Sequence, residues 1–245
     1  MKTAKLFYRN CNETGRWKSF RVTIDTSDIY FRAGHDLSAR AGAVVRSLRE
    51  DILAHIDRQE SFQYSFEPVE RLKGCPEIVE LMYAASEKAG VGPMAAVAGA
   101  VAQAAGRLLA EDTEELIVEN GGDIWMKLKS PAVVSIYPGG HNFGGVAVKI
   151  YPERTPCGIC TSSGRIGPSF SFGRADAATV ISQDAALSDA IATGVCNRVG
   201  KELDMQAAAS YGIGCGASGV VIIFRDRMVV QGDVELADPF GEQIS

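Results

Sequence analysis

Thr161-Ser162-Ser163-Gly164 opens the stretch whose reading decides the fold. Gly167-Pro168-Ser169-Phe170-Ser171-Phe172-Gly173 follows, and then a β-type run from Ala175 to Ile181. The stretch ends, by Gly200, in a helical pattern carrying Ser188-Asp189-Ala190-Ile191-Ala192-Thr193. On a helix Asp189 and Thr193 are four positions apart and share a face. A carboxylate and a hydroxyl one turn apart, among small neighbours, offer two hard oxygens to one cation. Mg²⁺ takes oxygen ligands and keeps places open for phosphate. The same spacing also suits a solvated surface acid and a packing threonine.

The chain around this stretch has 245 residues, enough for one large domain. Nearly half the residues are apolar, so a packed core is expected. A formal net charge of -5 and the lack of a basic stripe argue against a nucleic-acid partner. No apolar run reaches the ~20 residues of a membrane span, and Met1 to Asn10 has no signal-peptide pattern. The six cysteines are scattered in a chain too large to need staples. That usage suits a reducing compartment, so a cytoplasmic location is expected.

Before the central stretch, Ala4 to Arg9, Phe20 to Ile24 and Asp28 to Arg32 read as strands of a meander. Asp36 is the expected N-cap of a helix with apolar positions at Leu37, Ala41, Val44, Leu48, Ile52 and Ile56. His55 sits beside that stripe as a boundary residue. Ser61 to Phe66 reads as strand or loop, and Pro76 starts a helix through Lys88. Gly90 to Pro93 breaks it, and Met94 to Ala110 forms a second helix of almost only Ala, Val and Gly. Such small residues suit close packing on a sheet or close approach of a ligand.

Leu116 to Glu119 and Ile124 to Leu128 are strands joined by Asn120-Gly121-Gly122-Asp123. Asn-Gly is a hairpin signal, since both central positions tolerate positive φ. A glycine pair equally lets a phosphate or sugar approach the backbone. Ala132 to Tyr137 and Gly145 to Tyr151 flank a glycine-rich loop containing His141, either a proton donor or a plain loop residue. Cys157-Gly158-Ile159-Cys160 has redox spacing, but no helical pattern follows it. Packing thiols are therefore expected, with a thiol-redox role as the rival reading. Tyr211 to Ala217 reads as a flexible connection. Gly219 to Phe224 and Met228 to Val234 form a last hairpin turning at Asp226-Arg227. This order of elements predicts an α+β fold with mixed or antiparallel sheets. A single domain over 1–237 and a polar tail over 238–245 are expected.

Two separated segments carry a resemblance to a known family. Val118-Glu119-Asn120-Gly121-Gly122-Asp123-Ile124 resembles the Asn-x-Gly-Gly-Asp-Ile stretch of the ApbE superfamily, the FAD:protein FMN transferases. Asp189-Ala190-Ile191-Ala192-Thr193 resembles that superfamily's later Asp-Ala-x-x-Thr helix, in the same order and at a similar separation. The runs Gly92 to Gly99 and Thr161 to Ala177 are similar to an uncharacterised branch of it. The resemblance implies two related halves around a central cleft. It implies Mg²⁺ at Asp189 and Thr193, and a flavin nucleotide, FAD, near Asn120, Gly121, Gly122 and Asp123, with Gly92 and Met94 beside it. It also implies an acceptor protein for the FMN group, and leaves a homo-oligomer open. The family's His-x-x-Asp-Pro segment is replaced here by Gly167 to Gly173. Asp176 is the nearest replacement acid, so it is the catalytic candidate. A Mg²⁺-dependent flavin-nucleotide enzyme is expected, and a binding protein that kept the fold without the chemistry is the alternative.

Overall fold

The computed structural model describes residues 16–139, 145–164 and 173–238. The expected strand over Ala4 to Arg9, the His141 loop and most of the Gly167 to Gly173 segment lie outside those residues, as does nearly all of the tail.

Strands β1 (Lys18–Ile24) and β2 (Ser27–Ala33) form the opening hairpin. Helix α1 (Ser38–Arg58) follows; its N-cap is Leu37 rather than the expected Asp36, whose Oδ1 nevertheless accepts the Ser38 amide at 2.8 Å. The stripe that α1 buries is Ala41, Val45, Leu48, Ile52 and His55. Ser61–Tyr64 is a short helix, α2, rather than a strand or loop. Helix α3 (Glu77–Ala89) starts behind Pro76 and ends at Gly90, whose φ of 59° reverses the chain. After a 3₁₀ turn at Pro93–Ala96, helix α4 (Val97–Leu109) is buried along most of its length.

Strands β3 (Leu116–Asn120) and β4 (Asp123–Lys127) pair tightly through Asn120 and Asp123, leaving a two-residue turn. Strands β5 (Ala132–Ile136), β6 (Val146–Ile150), β7 (Cys157–Ser162) and β8 (Ala177–Ser182) come next. Helix α5 (Ala185–Arg198) carries Asp189 and Thr193. Met205–Gly214 is a helix, α6, whose last turn runs into the stretch from Tyr211 where a flexible connection was expected. Strands β9 (Gly219–Phe224) and β10 (Arg227–Gly232) turn through Arg225 and Asp226, and β11 (Leu236–Ala237) closes the described chain.

Eight strands form one sheet in the order β1-β2-β3-β4-β7-β8-β9-β10, and β11-β6-β5 form a second. Every recorded pairing is antiparallel. The period of two in a strand sorts the central side chains onto two faces. Cys160, Ala178, Val180, Val220 and Ile222 join the helix-side core with Ala100, Ala105 and Ile191. Cys157, Ile159, Ala177, Ile181, Val221 and Ile223 face the small sheet through Ile136, Val148 and Ile150. The result is three layers: helices, a long sheet and a short sheet. Among the described residues no single helix is long and apolar enough to cross a membrane.

Candidate functional site

The middle of the helix layer is drawn tight by glycine. A Cβ on Gly99 of α4 would lie 2.2 Å from the Ala185 carbonyl oxygen and 2.8 Å from Asp189 Cβ. A Cβ on Gly158 of β7 would lie 2.3 Å from Ala185 Cα. Glycine at these two positions therefore lets α5 pack closely against both α4 and the sheet. The closeness gives Asp189 its partner: Oδ2 accepts the Gly99 amide at 2.8 Å, with the Ala98 amide beside it. The carboxylate thus satisfies donors that the first turn of α4 leaves open.

The hairpin reaches the same place from the other side. Asn120 Nδ2 donates to the Ala98 carbonyl at 3.2 Å. Asp123 lies one residue beyond the Ile124–Ile159 pair of β4 and β7, where it takes a hydrogen bond from the Thr161 amide and sits beside the Cys160 thiol, which also reaches the Ala185 carbonyl at 3.3 Å. Gly121 and Gly122 have φ of 68° and 113°, conformations that side chains rarely adopt, and open space lies where a Cβ would stand. The glycine pair so makes the turn and also leaves its outer surface clear.

Burial dominates the electrostatics of this cluster. Asp123 is pushed up to about 7, chiefly by burial with a smaller push from Glu119, against the lowering by the Cys160 and Thr161 hydrogen bonds. Burial also lifts Asp189 well above the usual carboxylate range, and the nearby Asp123 adds to the lift. The Cys160 thiol is pushed well above its ordinary value by burial and then by the two carboxylates. Two acids from segments far apart in sequence are thus close enough for Asp123 to raise the pKa of Asp189, with Asp189 buried and Asp123 half-buried.

The structure brings Asn120, Asp123 and Asp189 together around Ala98 and Gly99. Thr193 is half-buried one turn along α5 from Asp189. Gly92 has a packing reason to be glycine, since a Cβ there would meet the Ser65 carbonyl oxygen at 1.8 Å. Met94 is half-buried against the core. Asp176 stands apart: Val180 pairs with Cys160, and four residues of strand separate Asp176 from that level, about 13 Å. It is 1% exposed, and its Oδ2 accepts the Arg225 amide in the β9–β10 turn. The redox reading of Cys157 and Cys160 fails on geometry. Both lie within β7, three residues apart, so their side chains enter opposite cores. Burial also pushes Cys157 up to about 12.

Sequence reasoning missed Gln103, which is fully buried in α4 and bonded to the start of α5. Its signal was visible as a lone amide in a helix of small apolar residues. It also missed Ala98 and Gly99, whose backbone groups carry no side-chain signature. A groove of about 410 Å³ between α1, α3 and α4, lined by Asp51, Glu77 and Arg107, contains none of the expected site residues.

Residues 9–211 match the family described as "AbpE bacteria". The chain belongs to this ApbE-like family. Archaeal relatives agree: UPF0280 protein MK0206 of Methanopyrus kandleri is 36% identical over 88% of each chain. A UPF0280 protein of Methanocella arvoryzae is 45% identical over 62% of each chain. Among solved structures, the apo flavinyl transferase ApbE of Pseudomonas stutzeri superposes with a TM-score of 0.58 at 14% identity, covering 88% of this chain and 94% of that one. The flavin transferase ApbE of Vibrio cholerae gives 0.57 at 12% identity, covering 88% and 97%. At such identities the superpositions establish an ApbE fold. The ApbE-like assignment and the α+β architecture therefore stand on independent comparisons of sequence and structure.

Proposed function

We propose that this chain is a Mg²⁺-dependent protein that handles a flavin nucleotide, cleaving the pyrophosphate of FAD or transferring its FMN group to an acceptor protein. The observation that carries the reading is the meeting of Asp123 and Asp189 beside the start of α4, under a glycine turn with open space above it. The solved neighbours named flavin transferases support the ligand class.

The donor set fits the cation. Among the described residues no group of three or more His, Cys, Asp or Glu side chains is arranged to hold a metal. Mg²⁺ does not require one: it is commonly held by one or two carboxylates, with waters and phosphate oxygens filling its shell. Asp189 would offer the carboxylate oxygen not bonded to Gly99, Thr193 its hydroxyl, and Asp123 a second carboxylate. Bound there, Mg²⁺ supplies charge neutralisation on a pyrophosphate.

The chain's own groups have separate tasks. Gly121 and Gly122 let the nucleotide approach the backbone. Asn120 holds the hairpin to α4 through Ala98. Gly99 fixes the direction of the Asp189 carboxylate. A nucleophile's proton needs an acceptor. Asp176 remains the candidate from sequence, and Asp123 stands nearer the other acid.

The binding-protein reading has one observation in its favour: Gly167 to Gly173 stands where the family resemblance implies His-x-x-Asp-Pro. AMP release from FAD separates the two, measured by chromatography with water or a threonine-bearing peptide as acceptor. Slow AMP release that a chelator abolishes supports the enzyme. FAD binding with no AMP above the chelator control supports the binder. Mg²⁺ with ADP should raise the melting temperature of the native chain by mass action, and Asp189→Ala should lose that rise. An equal rise in Asp189→Ala would remove the metal assignment.

A further inference from the structure

We infer that Gln103 is a positioning residue, a latch between α4 and α5 that sets where Asp189 and Thr193 stand. The inference takes its ligand from the proposed function, but its geometry stands without it.

Gln103 is fully buried, and its amide bridges two helices far apart in sequence. Its Oε1 accepts the Ala185 amide at 2.5 Å and the Ala186 amide at 3.3 Å. Its Nε2 donates to Asp184 Oδ2 at 3.0 Å. Asp184 in turn accepts the Leu187 amide at 2.9 Å through Oδ1, and its own amide reaches Ser182 Oγ at 3.2 Å. An α-helix opens with four amides that have no partner inside the helix. In α5 these are the amides of residues 184 to 187, and every one is met by a side chain. Two of the four depend on Gln103.

Asp184 alone already caps a helix. A second capping group reaching from a different helix does something more: it fixes the first turn of α5 to α4 in rotation and in rise. Asp189 lies just over one turn further on, and its carboxylate bonds back to Gly99, four residues before Gln103 on the same helix. Gln103 to Ala185 and Asp189 to Gly99 are thus two rungs between one pair of helices. The glycine contacts bring α5 close to α4 at Gly99 and to β7 at Gly158, but contact through small residues alone does not fix the rotation and rise of α5. The upper rung removes that freedom, so the carboxylate and Thr193 present a constant pair of oxygens. An apolar residue of the same size would fill the space and leave the Ala185 and Ala186 amides buried without partners.

The test uses the full chain with Gln103→Met, which keeps the volume and loses all three bonds. Gln103→Glu keeps the acceptor for the two amides and loses the donor to Asp184. Half-saturating Mg²⁺, read by thermal shift with ADP present, should rise about tenfold in Gln103→Met, as for supports of metal ligands elsewhere, with partial rescue in Gln103→Glu. ADP affinity in the presence of a chelator should change much less. Hydrogen exchange gives a second readout that needs no metal: the Gly99 amide should lose protection in Gln103→Met while amides of β9 keep theirs. A fall in melting temperature with unchanged Gly99 protection and unchanged Mg²⁺ half-saturation would make Gln103 a core residue only and overturn the inference. Selective loss of Gly99 protection in a chain that shows no Mg²⁺ response would keep the latch and sink the metal reading. If Gln103→Met does not fold, Gln103→Glu carries the same comparison.

Discussion

The Gly99 amide donates to Asp189 Oδ2 at 2.8 Å, joining two residues 90 positions apart in the chain. This bond is where the small-residue helix and the acid-bearing helix become one unit. It depends on the lack of a side chain at position 99, because a Cβ there would press on the backbone of Ala185. Gly99→Ala is therefore expected to destabilise the protein by about 1–3 kcal/mol through overpacking, despite the better helix propensity of alanine. Equilibrium unfolding in urea measures it. A neutral or stabilising result would mean that α4 and α5 can separate cheaply.

The two cysteines of the Cys-x-x-Cys segment should behave as strangers. With Cys157 in the small-sheet core and Cys160 in the helix-side core, a mild thiol oxidant should form no bond between them in the folded protein. Alkylation of both should be slow until the chain unfolds, since burial keeps each thiol protonated. Mass spectrometry of oxidised, alkylated protein reads both points. A Cys157–Cys160 disulfide formed under native conditions would contradict the strand.

Asp176 separates a structural role from a catalytic one through two substitutions. Arg225 has a φ of 59°, and its amide is tied to Asp176 Oδ2. Asp176→Asn keeps an oxygen acceptor and should fold with near-native stability. Asp176→Ala leaves that amide without this acceptor and should cost about 1–3 kcal/mol. If Asp176→Asn also lowers AMP release without changing FAD binding, the acid takes part in the chemistry. If only the alanine variant has an effect, Asp176 is the anchor of the β9–β10 turn.

His55 gives a pH dependence of definite sign. Its Nε2 lies 2.9 Å from the Tyr83 hydroxyl, which itself donates to Gln59 Oε1. The hydroxyl proton is thus taken, so the Nε2 of the neutral ring carries its proton and Nδ1, 3.7 Å from Cys75 Sγ, is bare. Burial lowers the pKa of His55, and Arg58 opposes charging while Gln59 and Glu80 act the other way. The unfolded chain, with an ordinary histidine near ~6.5, binds the proton first. The contribution to stability is full above that value and is lost as pH falls towards the lower folded pKa. As pH falls below about 6.5, melting temperature should drop more steeply in the native protein than in His55→Gln. Parallel curves would show that His55 keeps its ordinary pKa.

Much of the fold was legible because its elements carry local signals. The apolar stripe of α1, the Asn-Gly turn before β4 and the alternating strands each declare a period or a turn chemistry. Helix α6 was hidden because Gly212 and Gly214 look like breakers. Gly212 serves close packing instead, since a Cβ there would stand 2.9 Å from a Val220 methyl. The short helix at Ser61–Tyr64 is too brief to show a period. At the site, Asp123 and Asp189 were legible as members of two motifs. Their meeting was not, nor was the part played by Gln103, because both depend on contacts across more than 60 positions of chain. Backbone partners such as Ala98 and Gly99 leave no mark that sequence reading can use.

The closed beginnings of the two central helices have a further consequence. A helix start is ordinarily a ready receptor for phosphate, with bare amides and a positive dipole end. Here the α5 amides are taken by Gln103, Asp184 and Ser182, and the first turn of α4 already holds the Asp189 carboxyl group. Under the proposed function, a pyrophosphate arriving by itself would find these receptors filled. The proposed function then carries an order of events: with these amides taken, the cation would enter first or arrive already complexed to the nucleotide. The empty protein should then discriminate strongly between a free nucleotide and its magnesium complex.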